Sequence, residues 1–225
     1  MRRGEKLRLL AIETASSVCG VAVAEGEKVI ASREEVLERE HAEKLPGFCR
    51  EVLSESGLSV HDLDGVAVSI GPGSFTGLRI GLSFAKGIAF SGDLAMVPVP
   101  TLLAMAEGAS FDGEMADVCL RSHKEIVYHQ RFSRGAYGCV AEDKPVCDKW
   151  TIVSRSIGEE STVIHFCCED LLDRLDRAAP VIEHAPSALS VARVALRRFN
   201  ELTITDYHQL EPDYISSFKT GGPAR

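Results

Sequence analysis

The sequence predicts an α/β protein of two units with mixed sheets, the second unit reduced. Three apolar runs, residues 7–12, 18–24 and 29–35, follow one another with short polar turns between them. Helix-like and strand-like segments then alternate through the first hundred residues. Finally, the run Gly71-Pro72-Gly73-Ser74-Phe75-Thr76-Gly77 joins a strand to a helix, a junction where α/β proteins commonly place their chemistry.

The first strand, 7–12, follows Met1-Arg2-Arg3 and so imitates a signal peptide, but Arg8 interrupts the apolar run and Glu13 ends it. Glu13-Thr14-Ala15-Ser16-Ser17 turns the chain into strand 18–24, and Glu25-Gly26-Glu27 turns it into strand 29–35. From 41 to 56 the residues Leu45, Phe48, Cys49, Val52 and Leu53 recur at helical spacing, and Gly57 supplies a stop. Pro46 and Gly47 inside that segment predict a kink or a later start, because proline lacks the amide donor. Strand 66–70, the glycine-rich turn, helix 77–91, strand 95–99 and a helix from Thr101 follow, with Pro98 and Pro100 marking the strand exit.

Three hairpin-linked strands followed by helix, strand, helix, strand, helix is the ribonuclease-H-like plan. It is also the half-unit of the actin-like ATPase (ASKHA) and sugar-kinase folds. One such domain is expected over residues 1–103 and a second, smaller actin-like domain over 104–215, a degenerate copy of the first. Within the second, 115–120, 126–133 and 163–168 read as strands, 169–176 as a short helix and 186–199 as an amphipathic helix expected to pack back on the first domain. The tail 216–225 is expected to be disordered.

The 225 residues carry a net charge of -8, which argues against unaided binding to a nucleic-acid backbone. No apolar stretch is long enough to span a membrane. Seven cysteines form no Cys-x-x-Cys pair and no metal-spaced cluster, which suits reduced thiols in a cytoplasm. Cys19, Cys119, Cys167 and Cys168 lie in apolar runs and read as small core residues.

The glycine-rich turn lacks the parts of a nucleotide loop. No Gly-Lys-Ser/Thr ending is present, and glycines 71, 73 and 77 miss the dinucleotide spacing by one residue. Gly71, Gly73 and Gly77 therefore read as turn glycines, and Ser74 and Thr76 as helix caps. Ser74 is in no Gly-x-Ser-x-Gly elbow, and the seven histidines form no ligand pair.

The loop Glu13, Thr14, Ser16, Ser17 occupies the place of the first phosphate loop in actin-like folds. Two readings stay open: a vestigial nucleotide loop, or a hairpin whose hydroxyls satisfy their own backbone. A charge ending an apolar strand favours the former if it faces an open cleft. An autonomous ATPase would need a second glycine-rich loop, and no Gly-Gly occurs between residues 105 and 215. A two-metal nuclease would need several converging carboxylates, and Glu13 is the lone acid at the end of an early core strand.

Helix 77–91 carries a small-residue stripe, Gly77, Gly81, Ala85 and Ala89, and an apolar stripe, Ile80, Phe84 and Ile88. A helix apolar most of the way round is covered on more than one side. The expected cover is another subunit, with Leu45, Phe48, Cys49 and Val52 of helix 41–56 sharing the interface, or else the chain's own second domain.

Leu10-Ala11-Ile12-Glu13-Thr14-Ala15, Glu40-His41-Ala42-Glu43-Lys44-Leu45-Pro46, Gly57-Leu58-Ser59, Asp62-Leu63-Asp64 and above all the run from Gly71 to Gly81 resemble the TsaB (YeaZ) family. These are tRNA threonylcarbamoyladenosine biosynthesis proteins. The resemblance is dense over residues 8–108 and thins afterwards, with Glu211-Pro212-Asp213-Tyr214-Ile215 similar to the family's closing segment. Glu13 stands for the usual aspartate and Arg121-Ser122-His123 for Asp-Ala-Arg.

The resemblance implies a two-domain actin-like fold with no catalysis, metal or cofactor of its own, ATP or ADP being confined to a partner interface. It implies pairing through first-domain helices with a TsaD-type paralogue that carries the active site. A TsaE-type ATPase and tRNA would be engaged through that complex, and the chain would homodimerise when alone. The metal-binding histidines of the paralogue have no counterpart in 101–107. An autonomous ATPase or kinase and a peptidase are the alternatives.

Overall fold

The computed structural model describes residues 6–175 and 180–215, so the tail 216–225 lies outside the described residues. Strands β1 (Arg8–Glu13), β2 (Val18–Glu25) and β3 (Lys28–Val36) form an antiparallel meander. Helix α1 (His41–Ser56) leads to β4 (Gly65–Gly71), then α2 (Phe75–Gly92), β5 (Ala95–Pro100) and α3 (Thr101–Gly108). The sheet order is β3-β2-β1-β4-β5, with β4 parallel to both β1 and β5. Strand β1 lies at the centre and is buried along nearly its whole length, which explains the apolar run of residues 9–12. Strand β3 is the edge, with Arg33 and Glu35 on its α1 face and Glu34 on the face towards α6.

The second unit repeats this plan. It runs β6 (Met115–His123), β7 (Ile126–Gly135), β8 (Gly138–Ala141), β9 (Val146–Lys149), α4 (Trp150–Ser156), β10 (Thr162–Phe166), α5 (Glu169–Leu172), β11 (Val181–Glu183) and α6 (Ala188–Arg197). Its order, β8-β7-β6-β10-β11, matches β3-β2-β1-β4-β5 strand for strand, and β10 is parallel to β6 and β11. The outer position is split in two: β8 pairs with residues 132–135 of β7, and β9 with residues 126–129. The reduction expected of this unit thus falls on its edge, while the order of elements is complete.

Helices α3 and α6 lie between the two sheets in one shared core with Leu9, Ala11, Val97, Val118, Phe132 and Ile164. Helices α1 and α2 cover the far face of the first sheet, and α4 and α5 that of the second. Helix α6 is seated by two caps. Ser187 Oγ accepts from the Ser190 amide, and the Glu34 carboxylate of β3 accepts from the Ala188 amide. After α7 (Phe199–Leu202) the chain returns to the first unit, where Ile204 bridges to Met96 of β5 and residues 207–215 run along α2.

Three local expectations are corrected. Helix α1 starts at His41 despite Pro46, since Pro46 and Ala42 are both exposed and water can serve the carbonyl that proline leaves unpaired. Helix α2 starts at Phe75, two residues early, because Ser74 is its N-cap, accepting from Gly77 N at 3.2 Å; Thr76 lies within the first turn and caps nothing. Cys167 is exposed, unlike the buried Cys19, Cys119 and Cys168. Gly57 ends α1 as expected, at φ 68°, with its own amide and that of Leu58 closing the last turn.

Candidate functional site

The loop after β1 and the turn before α2 are packed into each other, and the glycines make this possible. A Cβ on Gly73 would sit 2.3 Å from the Ala15 carbonyl oxygen, and one on Gly77 would sit 2.1 Å from that of Thr14. One on Gly81 would lie 2.1 Å from Thr14 Oγ1. The Ser74 amide donates to the Ala15 carbonyl at 2.7 Å. Gly71 differs in needing its backbone freedom: its φ is 119°, and Asp213 O crosses 2.7 Å from where a Cβ would stand.

The small-residue stripe therefore seats the chain's own first loop and sheet. Gly77, Gly81, Ala85 and Ala89 are buried within the chain, which corrects their assignment to a partner surface. Leu45, Phe48, Cys49 and Val52 are likewise buried, in the core between α1, α2 and the first sheet. The outward face of α1 instead carries Glu43, Arg50, Glu51 and Glu55.

What α2 leaves outside is a mixed face with apolar residues at both ends. Thr76, Ile80, Ser83, Gly87 and Phe90 succeed one another at helical spacing along the outward face. Phe75 and Phe90 are exposed large hydrophobics, Phe90 at 76%, and Ile80, Phe84 and Ile88 are half-buried along this face. The apolar stripe singled out in the sequence is thus half-buried, packed in part against the first unit's own core, at the flank of the exposed face. Phe75 and Phe90 were missed as surface residues; their one signal is their place at the two ends of a helix whose opposite side is lined with glycine and alanine.

Between the two units a cleft of about 1200 Å³ opens. The first unit contributes Ser16, Ser17, Arg39, His41, Ser74 and Thr76, and the second Arg121, Ser122, His123, Tyr128 and Cys167. Arg121 is held by Asp170 and by the Lys124 and Cys167 carbonyls. Glu13 and Thr14 do not reach the cleft: both are fully buried beneath the loop. Burial pushes the Glu13 carboxyl up to about 7, with Glu34 adding to the rise against the hydrogen bonds from Ala15 and Ser69. Oε1 accepts from the Ala15 amide, and Oε2 is buried with no partner.

Of the two readings left open for the loop, the condition for a nucleotide loop, Glu13 facing an open cleft, is not met. Burial instead disfavours its ionised form. Serine hydroxyls Ser16 and Ser17 line the cleft, and Glu13 does not. Ser74 Oγ serves the helix cap, and among the described residues no histidine is bonded to it. No group of three His, Cys, Asp or Glu converges as a metal site among the described residues, and no described helix is long and apolar enough to cross a membrane.

One buried polar network escaped the sequence reading. Asp117 of β6, fully buried, accepts from His129 Nε2 at 2.7 Å, from Arg131 Nε at 3.2 Å and from Gly158 N at 3.0 Å. Burial works to raise its pKa, but the hydrogen bonds from His129, Ser161 and Gly158 win and hold it below the ordinary range. Its sequence signal is an acid inside an apolar strand, Ala116-Asp117-Val118. It lies within the second unit, against the loop that opens β10, and it orders that loop.

The duplicated unit, with helices on both faces of each sheet and a cleft between the halves, defines the actin-like ATPase fold. A Pseudomonas aeruginosa protein described as similar to peptidase YEAZ superposes with a TM-score of 0.82 at 21% identity, covering 93% of this chain and all of that one. A Clostridium difficile activator of 2-hydroxyisocaproyl-CoA dehydratase, solved with bound ADPNP, shares the fold at a TM-score of 0.52 and 9% identity, with coverage of 87% and 96%.

Residues 27–133 match the family model of TsaD, tRNA N6-adenosine threonylcarbamoyltransferase. The tRNA threonylcarbamoyladenosine biosynthesis protein TsaB of Buchnera aphidicola (Acyrthosiphon pisum) is 30% identical over 175 residues, 70% of this chain and 77% of that protein. TsaB of Escherichia coli is 40% identical over 103 residues, 46% of this chain, and the chain spans only 44% of that relative's length. The chain belongs to the TsaB family of tRNA threonylcarbamoyladenosine biosynthesis proteins.

Proposed function

We propose that this chain is a cytoplasmic, non-catalytic scaffold subunit of the tRNA threonylcarbamoyladenosine synthesis complex. It pairs through the outward face of α2 with a TsaD-type catalytic subunit, supporting threonylcarbamoyl transfer to the adenosine next to the anticodon of ANN-decoding tRNAs. One observation carries the reading. A helix whose inner side is filled by the chain's own loop and sheet still exposes Phe75 and Phe90, with Ile80 half-buried between them. The cleft supports it from the other side: its one strand-end acid is withdrawn from the ligand space and its serine is committed to a cap.

The TsaE-type ATPase and tRNA are engaged through the complex, as the net charge of -8 suits, and the chain holds no cofactor of its own, any ATP or ADP being confined to the junction with the partner. Without its partner the chain uses the same face to homodimerise. Reconstitution with the TsaD-type and TsaE-type subunits, the threonylcarbamoyl-AMP source and tRNA, with and without this chain, tests the proposal. Modification is expected to depend on the chain; equal modification without it overturns the scaffold role. Measurable ATP turnover by the pure chain that Glu13→Gln abolishes would favour the kinase reading instead.

A further inference from the structure

Residues 207–215 run as a strap along one flank of α2. Lys86 Nζ donates to the carbonyls of His208 and Leu210 at 2.9 and 2.8 Å, and the Asp213 amide donates to the Ile70 carbonyl at 2.7 Å. The strap ends in an aromatic cluster. The Arg79 guanidinium lies over the Phe75 ring at 3.9 Å and 5.6 Å from the Tyr214 ring, and its Nε donates to Tyr214 Oη at 2.7 Å. The two rings are 4.9 Å apart.

This cluster is not core. Phe75 is 54% exposed and Tyr214 41%. Ordering an arginine over one half-exposed ring and beside another costs side-chain entropy with little burial in return. The arrangement leaves Nη1 and Nη2 without any ion pair among the described residues, at the end of a planar fork held in one orientation. Such a fork matches a carboxylate bidentately, and arginine with aromatic neighbours is the usual composition of an interface anchor. It also adjoins the outward apolar face, since Phe75, Thr76, Arg79, Ile80 and Ser83 line one continuous depression.

We propose that Arg79, oriented by Phe75 and by Tyr214 of the strap, is a docking anchor for a carboxylate of the TsaD-type subunit. The inference rests on the scaffold reading. The family model of that transferase matches residues 27–133, a span that includes α1 and α2, so a TsaD-type partner carries a related helix pair. A near-symmetric pairing of related faces is the economical way to bury both. The strap then acts as a positioning element: it belongs to the last residues of the second unit yet sets the geometry of the first unit's surface.

The test uses the full chain and the purified TsaD-type subunit, with the Kd measured by titration calorimetry. Arg79→Lys keeps the charge and loses the fork; Tyr214→Phe keeps the ring and loses the acceptor; Ile80→Asp breaks the apolar face. Arg79→Lys is expected to raise the heterodimer Kd at least tenfold and Tyr214→Phe several-fold, both with an unchanged thermal midpoint. A wild-type Kd for Arg79→Lys alongside lost pairing for Ile80→Asp would leave the scaffold face standing and overturn the anchor. Pairing indifferent to Ile80→Asp would overturn the face itself. Weakening of self-association alone would assign the anchor to a second copy, and a lowered thermal midpoint in both cluster variants would make it structural; either overturns the proposal.

Discussion

Gly81 of α2 and Thr14 of the first loop touch so closely that a methyl group on the glycine would come within 2.1 Å of the threonine hydroxyl. Inside α2 the glycine lowers helix propensity, by about 1 kcal/mol relative to alanine. The close approach returns that cost by letting helix, loop and sheet pack without a gap. Gly81→Leu is therefore expected to fail as a fold. We predict a loss of several kcal/mol, of the size seen for severe overpacking, read as a collapsed or absent thermal transition. A normal transition with lost pairing would show that the glycine faces a partner after all.

Six residues further along, Gly87 gives the opposite expectation. Nothing lies within 4 Å of where its Cβ would stand, and it is exposed on the outward face. Gly87→Ala should stabilise the isolated chain by about 0.5–1 kcal/mol through helix propensity alone. Gly87→Arg should leave the chain folded and abolish pairing with the TsaD-type subunit, as co-elution on a sizing column would report. Intact co-elution would move the interface off α2.

These two glycines show where the sequence was legible. Spacing of small residues announces that something comes close to the helix, but not what. Gly77 and Gly81 turned out to meet Thr14, a contact between residues more than sixty positions apart. The order of elements from β1 to α3 was readable because long apolar periodicities and turn residues agree there. Strands β8, β9 and β11 and helix α4 were not, since runs of three to seven residues carry too few periods to register. Glu13 was visible as an acid at a strand end, but a strand's alternation alone does not say whether its face meets solvent or α6. The outward position of Phe75 and Phe90 depended on α2's rotation, which the buried glycines decide.

The buried Glu13 makes stability depend on pH with a definite sign. Its carboxyl is raised from 4.5 to about 7 in the folded chain. Between those values the folded state holds a proton the unfolded state has released, so this group's contribution falls as pH rises from about 4.5 to about 7 and is fully lost above. Glu13→Gln, which cannot ionise, should remove that dependence. We expect it to stabilise the chain at pH 8 by up to about 3 kcal/mol, and to be near neutral at pH 4.5. Urea denaturation at the two pH values measures this. Destabilisation at pH 8 would mean that the carboxylate is stabilised by a partner, and would reopen the nucleotide-loop reading.

Asp117 carries the reverse sign. Its hydrogen bonds hold the folded carboxylate below its ordinary value of 3.8, so its contribution is present above that value and disappears as pH falls through the folded one. Asp117→Asn keeps the shape but offers the His129, Arg131 and Gly158 donors a weaker acceptor and turns one oxygen into a competing donor. Breaking one side of a buried charged network costs about 3–5 kcal/mol, and the partial exposure of Arg131 argues for the lower end. The loss should appear at neutral pH and shrink towards pH 2, where the wild-type group is itself protonated. Because the network orders the loop that opens β10, amide exchange should rise first around Gly158 and Ser161. Faster exchange spread evenly over both sheets would instead show that Asp117 stabilises the fold without a local role.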